Sequence, residues 1–282
     1  MQRQKSFENN QPTLYLVATP IGNLNEMTFR SVDILKNVDY IAAEDTRNTI
    51  KLLNHFDIHT RLISHHEHNL SSSIPKLIQL LLDNHNIALV SDAGYPAISD
   101  PGYELVQECI KNDINVVPIS GCNACLDALV VSGLAPQPFL FYGFLSRDNK
   151  TKKDELIHLS SKEETFVLYE APHRIKKTLQ LMLEYLGDRN ICLAREITKK
   201  HEEINRGKIS EILECVDDMK GEMVIVVEGT HNNSPDKSFE DSPIEAVNKL
   251  VVSGISSKEA IKQISKERNI SKNDLYNEYH KN

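Results

Sequence analysis

The 282-residue sequence predicts an α/β protein of two sheet-bearing halves with a small helical end-piece. Three observations carry this. Short apolar runs alternate with longer stretches whose apolar residues recur at helical spacing, the pattern of strands and the helices that cover them. The alternation breaks at "SGLAPQP" (132–138), where two prolines and a glycine interrupt it. Beyond "GTHNNSPDKS" the pattern changes again, to short helices led by Ser and Asn. The expected organisation is a disordered lead over 1–12, an N-terminal α/β domain over 13–134, a second α/β domain over 135–231, and a helical C-terminal module over 232–282.

Taken in order, the lead "MQRQKSFENNQP" is polar and lacks the apolar core of a secretory signal, as expected of a cytoplasmic protein. "TLYLVAT" (13–19), "DYIAA" (39–43), "IALVS" (87–91) and "INVVP" (114–118) read as buried strands of a mostly parallel sheet. "TFRSVDILKN", "TIKLLNHF", "IPKLIQLLLDN" and "GYELVQECIKN" read as the amphipathic helices between them. In the second half, strands are expected at "FLFYGFL", "TFVLYE", "NICLARE" and "EMVIVVEG", and helices at 151–160 and 173–186. The tail reads as two or three short helices with helix-turn-helix grammar.

Composition narrows the function. Hydrophobic residues make up 40% and charged residues 26%, as in ordinary folded proteins. No apolar run approaches the roughly 20 residues of a membrane span. Five cysteines, an odd number without an export signal, argue against a disulfide framework. Cys122 and Cys125 form a lone C-x-x-C with no completing partner, which reads as two small residues one helical turn apart. The net charge of −8 argues against broad nucleic-acid binding but allows a local basic face. Arg147, Lys150, Lys152 and Lys153 cluster, as do Arg174, Lys176 and Lys177, and Lys199, Lys200, Arg206 and Lys208.

In open α/β sheets, ligands bind beyond the carboxyl ends of the strands. Four strand-following segments therefore matter: "TPIGNLNEMT" with Pro20 and Gly22, "EDTR" (44–47), "VSDAGYPAISDPG" (90–102) and "ISGCNACLDAL". Thr28 is an expected helix cap, as is Asp100 before Pro101 and Gly102. None of the four is a G-x-G-x-x-G or Walker A loop, so neither common nucleotide fingerprint applies. "ISHHEHN" (63–69) has the residue types of a metal site, but His65 and His66 would diverge on a strand and no further ligand set is evident, so no metal is expected. "YEAPHR" (169–174) follows a strand and opens a helix at Pro172, bringing His173 and Arg174 to its start.

These motifs in this order resemble the ribosomal RNA small subunit methyltransferase I family of tetrapyrrole-methylase-like enzymes. The resemblance rests on "LYLVATPIGNLNEMTFR", "AAEDTRNTIKLLNHF", "SHHEHN", "SDAGYPAISDPGYELV", "SGLAPQPFLFYGFL", "YEAPHRIKKTL", "REITKKHEE" and "GEMVIVVEG", from about Leu14 to Gly229, and extends more weakly into the tail. It implies two α/β domains with a cleft between them and a homodimer. It implies methyl transfer from S-adenosylmethionine to the ribose 2′-oxygen of a decoding-centre cytidine in 16S ribosomal RNA. By motif match the cofactor would touch Pro20, Gly22 and Asn23; Ser91, Asp92, Ala93 and Gly94; Ser99 and Asp100; Ile119, Ser120 and Gly121; and Tyr169, Arg195 and Glu196. The chain departs from the family at Ser120, where proline is usual, in "GCNA" for "GPSA", and at Tyr95, where many members have threonine; the glycine of the turn is kept.

A 2′-hydroxyl is a weak acid, so a base should assist its attack. Asp45, Asp100, His173 and Glu196 are the unranked candidates, each following a strand. For the RNA, Arg147, Lys150, Lys152, Lys153, Arg174 and Lys199 are the expected contacts, with phosphates their natural partners. The alternatives are a methylase of the same fold acting on a tetrapyrrole or other small molecule, a non-catalytic RNA-binding factor, and a metal-dependent hydrolase built on the His cluster.

Overall fold

The computed structural model describes residues 1, 3–6, 8, 11–217, 219–230, 241–268 and 270–280. The chain forms one compact unit over Met1–Thr230 and a second over His231–Asn282. The expected boundary at 231/232 and the start of the helical module, up to residue 240, lie outside the described residues.

The first sheet is built from β1 (Thr13–Val17), β2 (Tyr40–Ala43), β3 (Arg61–Ser64), β4 (Ile87–Val90) and β5 (Asn115–Ile119), in the order β3-β2-β4-β1-β5. Every pairing in it is parallel. Helices α1 (Phe29–Asn37), α2 (Thr46–His55), α3 (Leu70–Leu82) and α4 (Tyr103–Lys111) connect the strands. Strand side chains alternate between faces. Ile41 and Ala43 pack with Leu35 of α1 and Leu53 of α2, whereas Ala42 packs with Leu77 of α3 and Leu105 of α4. Thr28 caps α1, accepting from the Ser31 N–H at 3.1 Å. Gln4 in the lead reaches the outer strand β5, exchanging two 3.0 Å hydrogen bonds with the Val116 backbone.

After β5 comes α5 (Ala124–Ser132). It packs not on its own sheet but on the second, through Cys125, Ala128 and Leu129 against Val167, Cys192, Ala194, Val224 and Val226. The second sheet contains β6 (Phe139–Phe144), β7 (Thr165–Glu170), β8 (Asn190–Arg195), β9 (Glu203–Lys208) and β10 (Met223–Val227), in the order β6-β7-β10-β8-β9. Only β6 and β7 run parallel; the other pairings are antiparallel. Its other face is covered by α6 (Asn149–Ser160), α7 (Ile175–Leu186) and the short α8 (Ile209–Leu213).

Three sequence expectations need correction. Strands β3 and β9 were unforeseen; both are sheet edges, where "RLIS" and "EINRGK" need no apolar run and charge blunts further pairing. Helix α7 begins at Ile175 rather than Pro172. Helix α4 is preceded by Gly102 at φ +144°, so Asp100 does not cap it.

Among its described residues the C-terminal unit has three helices, α9 (Pro243–Val252), α10 (Ser257–Glu267) and α11 (Lys272–Tyr279). Ser242, Ser256 and Ser271 cap them. Ala246, Val247, Ala260, Ile261, Ile264 and Leu275 form their core. Among the described residues, no helix is long and apolar enough to cross a membrane.

Candidate active site

Parallel strands β1, β2, β4 and β5 release their carboxyl ends at one edge, and the loops there are stitched together. Thr19 and Gly94 exchange backbone hydrogen bonds at 2.9 and 3.0 Å, and the Thr19 hydroxyl donates to the Ser91 carbonyl at 3.2 Å. The Gly121 N–H donates to the Tyr95 hydroxyl at 3.3 Å. Gly121 lies so close to Ala18 that a Cβ would stand 2.9 Å from the Ala18 methyl, which leaves room only for glycine. The loop after β4 holds Ala97 and Ser99 at φ +68° and +63°, a left-handed backbone that is costly for L residues and concentrates at functional loops.

This edge forms one wall of a cavity of about 340 Å³. From the first half, Ile21, Ala93, Gly94, Tyr95, Ser99 and Asp100 line it. Asn123 and Ala124 at the start of α5 and, from the second half, Phe144, Tyr169, Ala194, Ile197 and Val224 complete it. The walls are mainly apolar with a few polar groups, and the volume lies within the range of small-molecule sites. Burial, reinforced by the nearby carboxylates of Glu44 and Asp92, pushes the Asp100 carboxyl up to about 7. Burial also raises Glu44, whose Oε2 has no hydrogen-bond partner. The Tyr169 phenol is pushed up to about 12 by burial, and its ring packs edge-on against Phe141 and Phe144.

Of the expected cofactor contacts, Ala93, Gly94, Ser99, Asp100 and Tyr169 line this cavity. The others sit around it. Ser91 holds the β4 loop through its hydroxyl, and Asp92 accepts from Asn48 at 3.0 Å. Asn23 caps the 3₁₀ turn Leu24–Glu26, and Gly22 is covered by the Lys199 side chain, so it is Ile21 between Pro20 and Gly22 that reaches the cavity. Ile119 is buried core and Ser120 is exposed. Gly121 lines a third cavity with Cys122 and Asp127.

Arg195 pairs with Glu203 at 2.8 Å and donates to the Lys220 carbonyl, while Glu196 pairs with Lys199 at 2.9 Å and accepts from the Glu222 N–H. Neither lines the cavity. Asp45 caps α2 and pairs with Arg47 at 2.7 Å, which holds its carboxyl down to about 2.

A second cavity, of about 790 Å³, adjoins the first and shares Phe144 and Ala171 with it. Arg147, Lys152, His173, Arg174 and Lys177 line it. Lys152, expected among surface cations, is instead 3% exposed, 3.8 Å from Glu170 and donating to Thr178 at 3.1 Å. Glu170 also accepts from Thr178 at 2.6 Å and pairs with Arg174 at 3.1 Å. Arg174 donates onward to the carbonyls of Leu145 and Ser146. Lys199 is likewise no free cation, being held between Glu196 and Glu222. Lys153 lies over the Tyr185 ring, and Lys150 is exposed outside the cavity.

His65 is buried, its Nδ1 2.9 Å from the Ser73 hydroxyl, and burial pushes its pKa down. Among the described residues no cluster of His, Cys, Asp or Glu is placed to hold a metal ion. Burial raises the thiols of Cys122 and Cys125 to about 11. The lining residues that sequence reasoning missed are mostly apolar, such as Ile21, Ala194, Ile197 and Val224; their only sequence signal was a position at or near a strand end.

The sequence profile of the tetrapyrrole (corrin/porphyrin) methylases matches residues 13–213. A Bacillus subtilis protein named ribosomal RNA small subunit methyltransferase I is 50% identical, with 99% of each chain covered. A Synechocystis protein of the same name is 44% identical over 93% of this chain and 95% of its own. Among solved structures, a cobalt-precorrin-4 methyltransferase covers 77% of this chain and 94% of its own at a TM-score of 0.59 and 13% identity. The uroporphyrin-III C-methyltransferase of Thermus thermophilus covers 77% of this chain and 94% of its own at 0.56 and 15% identity. Those structures share the fold, with its two α/β sheets; the profile and the full-length relatives show that this chain belongs to the tetrapyrrole methylases and, within them, to the ribosomal RNA small subunit methyltransferase I family.

Proposed function

We propose that the chain transfers a methyl group from S-adenosylmethionine to the ribose 2′-oxygen of a cytidine at the decoding centre of 16S ribosomal RNA. The observation that carries this reading is the first cavity, which has Asp100, alone among the four expected acid–base groups, on its wall. The names of the full-length relatives support a small-subunit ribosomal RNA substrate. The motif resemblance supports the cytidine and its 2′-oxygen.

The residues present suit such a donor. The cavity has room for a small organic ligand against apolar walls. Asp100, Glu44 and Asp92 repel one another, and Glu44 carries an unpartnered buried oxygen, so this side favours a ligand bearing positive charge. Ala93, Gly94, Ser99 and Tyr169 would hold it. When bound, S-adenosylmethionine supplies a methyl group on a sulfonium, open to in-line displacement. Asp100, titrating near neutrality, takes the proton of the attacking hydroxyl. The surrounding walls hold the reacting groups in line, which carries much of the rate.

Arg147 and Arg174 remain the RNA contacts that face a cavity, with Lys150 and Lys153 adding outlying positive charge. The exposed Leu126, Val130 and Val131 of α5 support pairing with a second copy, and the expected compartment is the cytoplasm. The test is incubation of the purified chain with unmethylated small ribosomal subunits and labelled donor, followed by mass spectrometry of the digested RNA. A methyl group on one cytidine ribose is expected. Label absent from the RNA, or found instead on a porphyrinoid acceptor, overturns the reading.

A further inference from the structure

The second cavity is a site the donor does not need. Its lining carries Arg147, Lys152, Arg174 and Lys177. Glu170 ties down two of these, Lys152 and Arg174. The other carboxylates nearby are engaged as well: Glu155 accepts from the Ser146 N–H, and Asp148 caps α6 through Thr151. Arg147 and Lys177 are exposed and have no ion pair or hydrogen bond among the described residues. His173, also exposed, adds ring N–H capacity on the same wall. Such a cavity favours an anion with several acceptor oxygens. Phe144, on the wall shared with the first cavity, is 54% exposed, and its ring is backed by Tyr169 at 5.5 Å. A supported, exposed aromatic ring beside cations is the arrangement that takes a single-stranded base and its phosphate.

We infer that this shared wall is a nucleotide seat, with a phosphodiester of the RNA strand held by Arg147, His173 and Lys177 and a base stacked on Phe144. The seat rests on the methyltransferase reading and adds how its substrate is held. In a nucleotide the ribose lies between base and phosphate. A nucleotide spanning Phe144 and the cation-lined cavity therefore brings its ribose to the Phe144–Ala171 wall, where the first cavity opens. Glu170 acts through others as a positioning residue, because it holds Lys152 and Arg174 beneath the seat while lining the first cavity itself.

The test measures binding of the full chain to a short, labelled, single-stranded oligoribonucleotide containing cytidine, at several salt concentrations, with donor affinity measured by calorimetry on the same proteins. The combined reversal Arg147→Glu and Lys177→Glu should weaken RNA binding at least tenfold and flatten the plot of log affinity against log salt by about 0.7, the slope of the one single-strand phosphate the seat holds. Phe144→Ala should weaken binding about five- to tenfold, and Phe144→Trp should restore it. Reversing the outlying pair Lys150 and Lys153 should cost less than about threefold. Donor affinity should stay within about twofold in the Arg147/Lys177 and Lys150/Lys153 variants, whose residues do not line the first cavity. Wild-type RNA affinity and salt slope in the Arg147/Lys177 variant, or an equal loss in the Lys150/Lys153 variant, overturns the seat. If the wild-type chain methylates no subunit while RNA binding still follows the seat variants, the seat stands and the catalytic reading falls.

Discussion

Two adjoining cavities share a wall and differ in what their buried carboxylates meet. Asp100 in the first has carboxylate neighbours and titrates near 7. Glu170, which lines the first cavity but reaches toward the second, meets Lys152, Arg174, Thr178 and the Ala171 N–H. Glu170 ends strand β7, whereas Asp100 lies in the long loop between β4 and α4. The difference teaches that role is set by neighbours: an acid among acids becomes a proton acceptor near neutral pH, whereas an acid among cations becomes a structural hub.

The comparison breaks most visibly at Glu170. Glu170→Gln leaves Lys152 buried without its counter-charge and should cost about 3–5 kcal/mol, read from the denaturation midpoint at constant slope. A loss below about 1 kcal/mol would show that Lys152 relaxes to water and that the hub is dispensable. Asp100→Asn should keep the fold while lowering kcat, measured at saturating donor and RNA, at least about 10²-fold. In the wild type, kcat/KM should rise with pH through about 7 as Asp100 loses its proton, and that limb should vanish in the variant.

The same substitution sharpens the comparison through stability. The folded protein holds the Asp100 proton more tightly than the unfolded chain, whose aspartate titrates near 3.8. The wild type should therefore lose stability as pH rises from about 4 to 7. Asp100→Asn should escape that loss and be more stable at pH 8 by about 1–2 kcal/mol, with the gap closing below about pH 4 in a thermal melt series. The smallest effect is expected at Asp45, whose carboxylate serves α2 and Arg47: Asp45→Asn should leave methyl transfer within about twofold.

The sequence made the interior of the molecule legible and its margins less so. Central strands such as β4 and β10 are buried along their whole length and read as apolar runs. Edge strands β3 and β9 face water on one side, and their mixed residues gave no such run. The loop after β4 was readable as a site because its glycine and small residues sit at a parallel-strand end. The carboxylates were not separable by sequence alone, since Asp45, Asp100 and Glu196 all follow strands. What separates them is the partner each meets in three dimensions: Arg47 and Lys199 are near neighbours in sequence, but the Glu222 N–H lies far along the chain and the carboxylates around Asp100 meet it only in the fold. Lys152 was misread for a similar reason: one lysine in a basic run turns inward only because β7 carries Glu170 beneath it.

One topological detail bears on how the molecule is made. Among the described residues strand β10 is the last strand, yet it lies in the middle of its sheet, between β7 and β8, and α5 packs across it. As the chain leaves the ribosome, α5 emerges long before the surface it must cover exists. The second sheet stays split until β10 slots in, and the same insertion delivers Met223 and Val224 to the first cavity. A chain that stops before residue 223 therefore lacks both the central strand of the second sheet and part of the first cavity's wall.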